Sequence, residues 1–371
     1  SALAKQAIQA GDDLYDLLLI GGTVTGGMAT AGLLMDLTQI PHMDLSKPWY
    51  DQSANASLSI GGRLHLTAGD LNIMDNKATW ALLFNKKLAE DLSLGDLYGM
   101  VLDGTWTLDT LESYLTIASI DLNGDGVHDE FDQWGMQGES FNTAAFILGA
   151  GERFFDKDEN DMPVFALEGD ERVYGILEDL SQFMNDTSVS LNYHNYGSEG
   201  YHLCTTKMFE ENRGLFWITN LQMVIRLREM ETDFGIAPCP KYDEQQEQYL
   251  NLVDGHASVM ALPVTLSDDD RDFVGTMIEA FSAATFNDVL PAYYETAMQT
   301  KFAQDQTMPL MLELIREGRV FNFGYVYDTM INRDILVNLI TSKSTELASK
   351  IAAVKKPTEK YYERVTKTFG E

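Results

Sequence analysis

The chain has 371 residues, with 26 Lys plus Arg against 57 Asp plus Glu and a formal net charge of −31. Such a field repels a phosphate backbone and an anionic lipid surface, which argues against nucleic-acid binding and electrostatic membrane docking. Hydrophobic residues make up 45% of the chain, no apolar run reaches the roughly 18 residues of a membrane span, and the length suits two lobes rather than one core.

Residues 2–10 form a short helical pattern ending at Gly11. The sequence does not begin with Met, and a signal segment is expected ahead of Ser1. Residues 15–20 are a continuous apolar run around Asp16, the pattern of a strand buried on both faces. An α/β domain ordinarily opens on a strand, so a first strand is expected to precede Ser1. Residues 21–25 are expected as a polar strand end and 27–37 as a helix. A Gly61-Gly62 turn joins short alternating segments within 59–66.

Residues 79–84 predict a strand and 86–91 the start of a helix. Residues 107–117 predict a helix capped by Thr107, with Asp109 and Glu112 near its positive end. Trp106, just before that start, is expected in the core. After a loop at 121–132, the pattern restarts with a strand at 134–136 and a helix at 143–148. An amphipathic helix follows Gly169 and runs to 185. Strands are expected at 215–218, 234–237 and 257–262, with helices at 221–230 and 270–284. From 293 to 369 the chain reads as helical, broken at 317–324. This alternation predicts an α/β fold of two discontinuous lobes joined by hinge crossings. Residues 1–116 with 258–304 are expected in one lobe, and 119–254 with 305–371 in the other.

The sharpest local pattern is the loop 121–132. Oxygen side chains stand at its positions 1, 3, 5, 9 and 12, namely Asp121, Asn123, Asp125, Asp129 and Asp132, with Gly126 at position 6. Val127 would offer its carbonyl at position 7. Ca²⁺ prefers six to eight hard oxygens, and the glycine lets the backbone wrap the ion. Position 12 is Asp rather than Glu and a strand follows, so this is an EF-hand-like loop serving a structural Ca²⁺. A metal-free Asx/Gly turn uses the same residues.

No catalytic constellation emerges. The six His form no HExxH or His-x-His pair, and no GxSxG, Walker or strand-linked GxGxxG motif is present. No catalytic cofactor is expected. Cys204 and Cys239 allow one bridge or two inert thiols.

Aromatic and amide groups at element ends suit a polyhydroxylated solute, whose C–H faces stack on rings and whose hydroxyls seek amides and carboxylates. The candidates are Thr23, Thr25, Trp49, Asp70, Asn72, Asp75, Trp80, Trp217, Asn220, Tyr325 and Tyr327, with Trp217 or a tyrosine as the stacking ring. Each is also compatible with a core or surface role.

In chain order, Gly61-Gly62-Arg63-Leu64-His65-Leu66, residues 79–88 (TWALLFNKKL) and Trp106-Thr107-Leu108-Asp109 resemble extracellular solute-binding proteins of the maltose-binding superfamily. The 121–132 loop looks like one many members carry. Residues 227–238 with Pro240-Lys241-Tyr242, Ala292-Tyr293-Tyr294 and 301–305 are similar to Firmicute lipoprotein members. The resemblance implies a Venus-flytrap fold and a non-enzymatic, monomeric component of an ABC importer. It also implies lipid anchoring outside the cell through a segment absent here, and delivery of a sugar or oligosaccharide to a membrane permease driven by an ATPase. A polyamine or peptide remains an alternative solute, since Asp51, Asp70 and Asp75 could serve a cation. A carbohydrate-active enzyme or a purely structural surface protein are further readings.

Overall fold

The computed structural model describes residues 2–139, 142–153, 155–169, 171–298, 305–327 and 346–370. Among them are β1 (Leu18–Gly21), β2 (Trp80–Asn85), β3 (Trp134–Gly138), β4 (Phe155–Lys157), β5 (Pro163–Phe165) and β6 (Ser190–Asn192). There follow β7 (Gly214–Asn220), β8 (Phe234–Ala237), β9 (Asn251–Leu252), β10 (Ser258–Ala261) and β11 (Arg319–Val320).

The central sheet has five strands in the order β6-β3-β7-β2-β8. β3 runs parallel to β6 and β7, while β2 is antiparallel to both β7 and β8. All six residues of β2 are buried, which explains its unbroken apolar run. Side chains alternate between two cores, as the two-residue strand period requires. Ala81, Leu83, Trp217 and Ile236 face Phe209, Met308, Leu312 and Ile315. Leu82, Phe84, Phe216 and Ile218 join the larger cluster with Trp106, Leu111 and Leu115. Trp106 is fully buried, and its indole N–H donates to the Pro238 carbonyl at 3.1 Å.

The other lobe is built around β1 paired antiparallel to β10, with helix Asp268–Ala284 over Met260 and Leu262. Ser267 caps that helix and three aspartates occupy its first turn, where negative charge offsets the helix dipole.

Two expectations change here. The lobes do not divide at residue 116, because β2 lies inside the five-stranded sheet. The chain crosses earlier: Thr79 bridges Val253, the Val253 N–H donates to the Val320 carbonyl at 3.0 Å, and β9 pairs parallel with β11. Three crossing segments thus lie side by side. Second, residues 22–25 are helical rather than a strand end, and belong to a helix over Gly22–Ala29. The Gly22 and Thr23 N–H groups bond to the Ala257 and Gly255 carbonyls, both at 2.9 Å, so the first helical donors are satisfied across the chain rather than by a local cap. Turn and bridge geometry follows, with a short 3₁₀ turn at Leu37–Gln39, so the helix expected over 27–37 is not continuous.

Cys204 and Cys239 are both buried and free. Burial pushes each thiol up to about 12, which leaves both as inert core groups.

Candidate functional site

The carboxyl edge of the five-stranded sheet carries a row of polar groups. β3 ends at Gly138 and is followed by Glu139; β6 ends at Asn192 and β7 at Asn220. β2 runs the other way, so its first residue, Trp80, stands opposite Asn220. In sheet order the edge therefore carries Asn192, Glu139, Asn220 and Trp80, the last with its ring buried in the core. Ligands of open α/β sheets bind outside such carboxyl ends.

Local chemistry holds these groups. Asn142 Oδ1 accepts the Glu139 N–H at 2.6 Å. Gly138 permits that approach, since a Cβ there would lie 2.1 Å from Asn142 Oδ1. Glu139 Oε2 bonds His194 Nε2 at 3.0 Å, and Asn192 Oδ1 accepts the His194 N–H at 3.1 Å. Tyr193 and Tyr201 stand perpendicular with ring centroids 5.3 Å apart. Burial, with a hydrogen bond to Glu139, raises the Tyr193 phenol above its ordinary range. Tyr201 is 44% exposed and its hydroxyl reaches Met223 Sδ on the helix after β7. Asn220 Oδ1 is buried without a hydrogen-bond partner, an acceptor that a solute hydroxyl would satisfy.

The facing wall begins at the crossing. Trp80 Nε1 donates to Asp254 Oδ2 at 3.2 Å, and His256 Nδ1 lies 2.9 Å from Asp254 Oδ1. The Tyr325 hydroxyl lies 3.3 Å from the same oxygen and 3.4 Å from His256 Nδ1. Burial pushes the Asp254 carboxyl up, but bonds from His256 and Trp80 outweigh it and hold the group below its ordinary value. Tyr325 arrives on helix Phe323–Tyr327, which packs against helix Gly22–Ala29. Gly26 makes that packing possible, since a Cβ there would fall 2.1 Å from the Val326 carbonyl oxygen.

The residues expected from sequence divide among several places. Trp80, Asn220 and Tyr325 meet at this edge, with the Trp80 and Tyr325 rings buried in the core and their polar atoms on Asp254, and Thr23 stands beside it through its bond to Gly255. Thr25 is buried, its hydroxyl donating to the Ile20 and Gly21 carbonyls. Tyr327 is buried and donates to the Leu58 carbonyl at 2.8 Å. Trp217 is 2% exposed and packs on Phe209 within the core, so it offers no face for stacking. Trp49 packs edge-on against Phe286.

Asp75 and Asp51 both pair with Arg319 on the crossing strand, at 3.1 and 2.5 Å. Asn72 Oδ1 accepts the Met74 N–H in a turn. Asp70 is buried nearby; burial, then the Asp75 charge, lifts its carboxyl to about 7. These acids brace the crossing rather than the edge.

Sequence reasoning missed Glu139, Asn192, Tyr193, His194, Tyr201, Asp254 and His256. Glu139 could have been found as the polar residue just past the strand at 134–136. β6 is three residues long and carries no periodicity that would have exposed Asn192.

In the 121–132 loop, Asp121 accepts the Gly124 and Gly126 N–H groups, Asn123 that of Asp125, and Asp125 that of Val127. Asp129 accepts from Phe131, and Asp132 from Leu122 and Asp129. Burial would raise the Asp132 carboxyl, yet these backbone donors hold it below its ordinary value. Among the described residues, no three His, Cys, Asp or Glu are gathered as an ion would require. Backbone donors thus hold each of these side chains in the turn, and their oxygens keep further lone pairs for another partner.

No family model matches the sequence, and no curated protein does. Solved structures do. An ABC substrate-binding protein of Listeria monocytogenes in complex with cycloalternan aligns at TM-score 0.62 and 12% identity, covering 100% of this chain and 88% of that one. The maltose/maltodextrin-binding domain of Bdellovibrio bacteriovorus bound to maltotriose aligns at 0.61 and 16%, covering 97% and 88%. A cyclo/maltodextrin-binding protein complexed with maltotetraose gives 0.61 and 16%, over 96% and 86%. Over its whole length the chain therefore has the two-lobed α/β fold of maltodextrin-binding-type proteins.

Proposed function

We propose that this chain is the substrate-binding component of an ABC importer and captures a sugar or oligosaccharide between its lobes. The observation that carries the reading is the row Asn192, Glu139, Asn220 and Trp80 on the carboxyl edge of the sheet, in a fold whose neighbours are sugar complexes. Tyr193 and Tyr201 supply rings for C–H faces, while Glu139, Asn192, Asn220 and the Asp254–His256 pair supply hydroxyl partners. Glu139 and Asp254 each hold a histidine rather than a second carboxylate. That favours binding over glycoside hydrolysis, which needs a pair of carboxyls flanking the bond.

The same reading assigns the division of lobes to the crossings at 79, 251–254 and 319–320. It includes hinge closure around the solute, driven by its better fit to the closed form. Delivery to a membrane permease, an extracellular position, and lipid anchoring as in the Firmicute lipoprotein members belong to it as proposals. No described helix is long and apolar enough to cross a membrane. A structural Ca²⁺ in the 121–132 loop is proposed on its oxygen spacing, and requires the carboxylates to turn inward.

The test is a thermal-shift panel of maltotriose, maltotetraose and cycloalternan. A ligand at a hundred times its Kd adds about 2.7 kcal/mol to native stability. Calorimetry on Glu139→Gln and Tyr201→Ala should then show weaker binding by about 1–3 kcal/mol. No shift with any sugar, or unchanged affinity in both variants, removes this reading.

A further inference from the structure

The β4–β5 hairpin belongs by chain order to the lobe of the five-stranded sheet. It follows helix Asn142–Gly149, which leaves the carboxyl edge of β3. Eight helical residues rise about 12 Å, so the hairpin begins well away from the edge described above. Its tip nevertheless bonds to the other lobe.

Asp161 Oδ1 accepts the Ser59 hydroxyl at 2.8 Å, and Oδ2 accepts the Gly62 N–H at 2.9 Å. The Asp161 carbonyl accepts the Gly61 N–H at 3.1 Å. Lys157 Nζ bonds Asp161 Oδ1 at 3.0 Å and also the Ser59 carbonyl, and stands 5.2 Å from the Phe323 ring centroid. One carboxylate thus holds two donors of the opposite lobe while a lysine from its own hairpin neutralises it. Asp161 has φ 59, a backbone state that aspartate tolerates better than most residues. Beneath these bonds lies a cavity of about 400 Å³ lined by Ser57, Leu148, Phe155, Phe321 and Asn322. Its walls come from both lobes and from the crossing.

We propose that the 155–165 hairpin is a clasp that holds the two lobes at this point and sets the interlobe angle of the ligand-free protein. Helix Leu347–Gly370 covers the same join, with Tyr362 against Phe155 and Phe323, and Phe369 against His65. The same helix also makes two directional bonds, its Phe369 carbonyl accepting from the Arg63 guanidinium and its Tyr361 hydroxyl donating to the Tyr327 carbonyl, but neither brings a carboxylate with two donors of the opposite lobe. The bonds at Asp161 are directional and specify one arrangement. Because a solute sees only the fraction of molecules already near the binding angle, the clasp also tunes affinity without touching the solute. This inference concerns lobe motion alone and stands whichever solute is bound.

The test measures the interlobe distance in the absence of any sugar. Spin labels are placed on Asp269→Cys and Glu178→Cys, exposed positions on opposite lobes; the native cysteines are buried and will not label. The intact clasp should give one narrow distance peak. Asp161→Gly keeps the backbone state and removes the carboxylate, and Ser59→Ala removes its partner on the other lobe. Both should lose the narrow peak, giving a broader and shifted distribution with helical content unchanged by circular dichroism. If either variant keeps the peak, the hairpin does not set the angle and the proposal falls. Broadening in Asp161→Gly alone would place the effect inside the hairpin and would also overturn it.

Discussion

The buried acid cluster at the crossing makes a quantitative prediction about pH. Asp51, Asp70 and Asp75 surround one guanidinium, Arg319, with Arg316 nearby. Asp70 carries no bond from Arg319, and burial followed by the Asp75 charge lifts its carboxyl from 3.8 to about 7. The folded protein therefore binds a proton that the unfolded chain releases. The stabilisation from that proton is complete below 3.8 and is lost as pH rises towards about 7. The full displacement sets a ceiling of about 4 kcal/mol, and solvent screening reduces it to about 2 kcal/mol. Asp70→Asn supplies a neutral isostere at every pH. Urea unfolding of both proteins at about pH 5 and about pH 8 should show the variant gaining about 1–2 kcal/mol on the wild type between the two conditions. Parallel stability curves would refute the reasoning and return Asp70 to an ordinary solvated carboxylate.

Other substitutions probe separate parts of the molecule. Trp217→Ala should cost about 3–5 kcal/mol of stability, the scale of an emptied aromatic core site; a sugar affinity lost with no change in melting would restore it to the binding face. Gly26→Ala forces helix Phe323–Tyr327 off helix Gly22–Ala29, and denaturant unfolding should register a loss of about 1–3 kcal/mol. Calcium should raise the melting temperature and a chelator reverse it if the 121–132 loop closes on an ion. An unchanged transition would leave the loop as a turn held by its backbone donors.

Much of the fold was legible because local rules sufficed. The strand over 80–84 and the Thr107 cap could be read from neighbouring residues, whereas the burial on both faces expected of 15–20 is not met, since Leu19 is 39% exposed. Trp106 followed from its place before a helix start. Tyr325, Asn220 and Trp80, singled out as polar and aromatic groups at element ends, are brought near one another by strand register and by Asp254. Tertiary structure decided the rest. Residues 22–29 became helical because the Gly255 and Ala257 carbonyls, more than two hundred residues away, accept their first N–H groups. Trp217 and Asn220 sit three residues apart on one strand, yet Trp217 faces the core while Asn220 reaches the edge, and only register and strand length determine that. Glu139 and His194, or Asp51, Asp75 and Arg319, come together through strand order and crossings. Sequence spacing is blind to such meetings because hydrogen bonds and charges act across space, not along the chain.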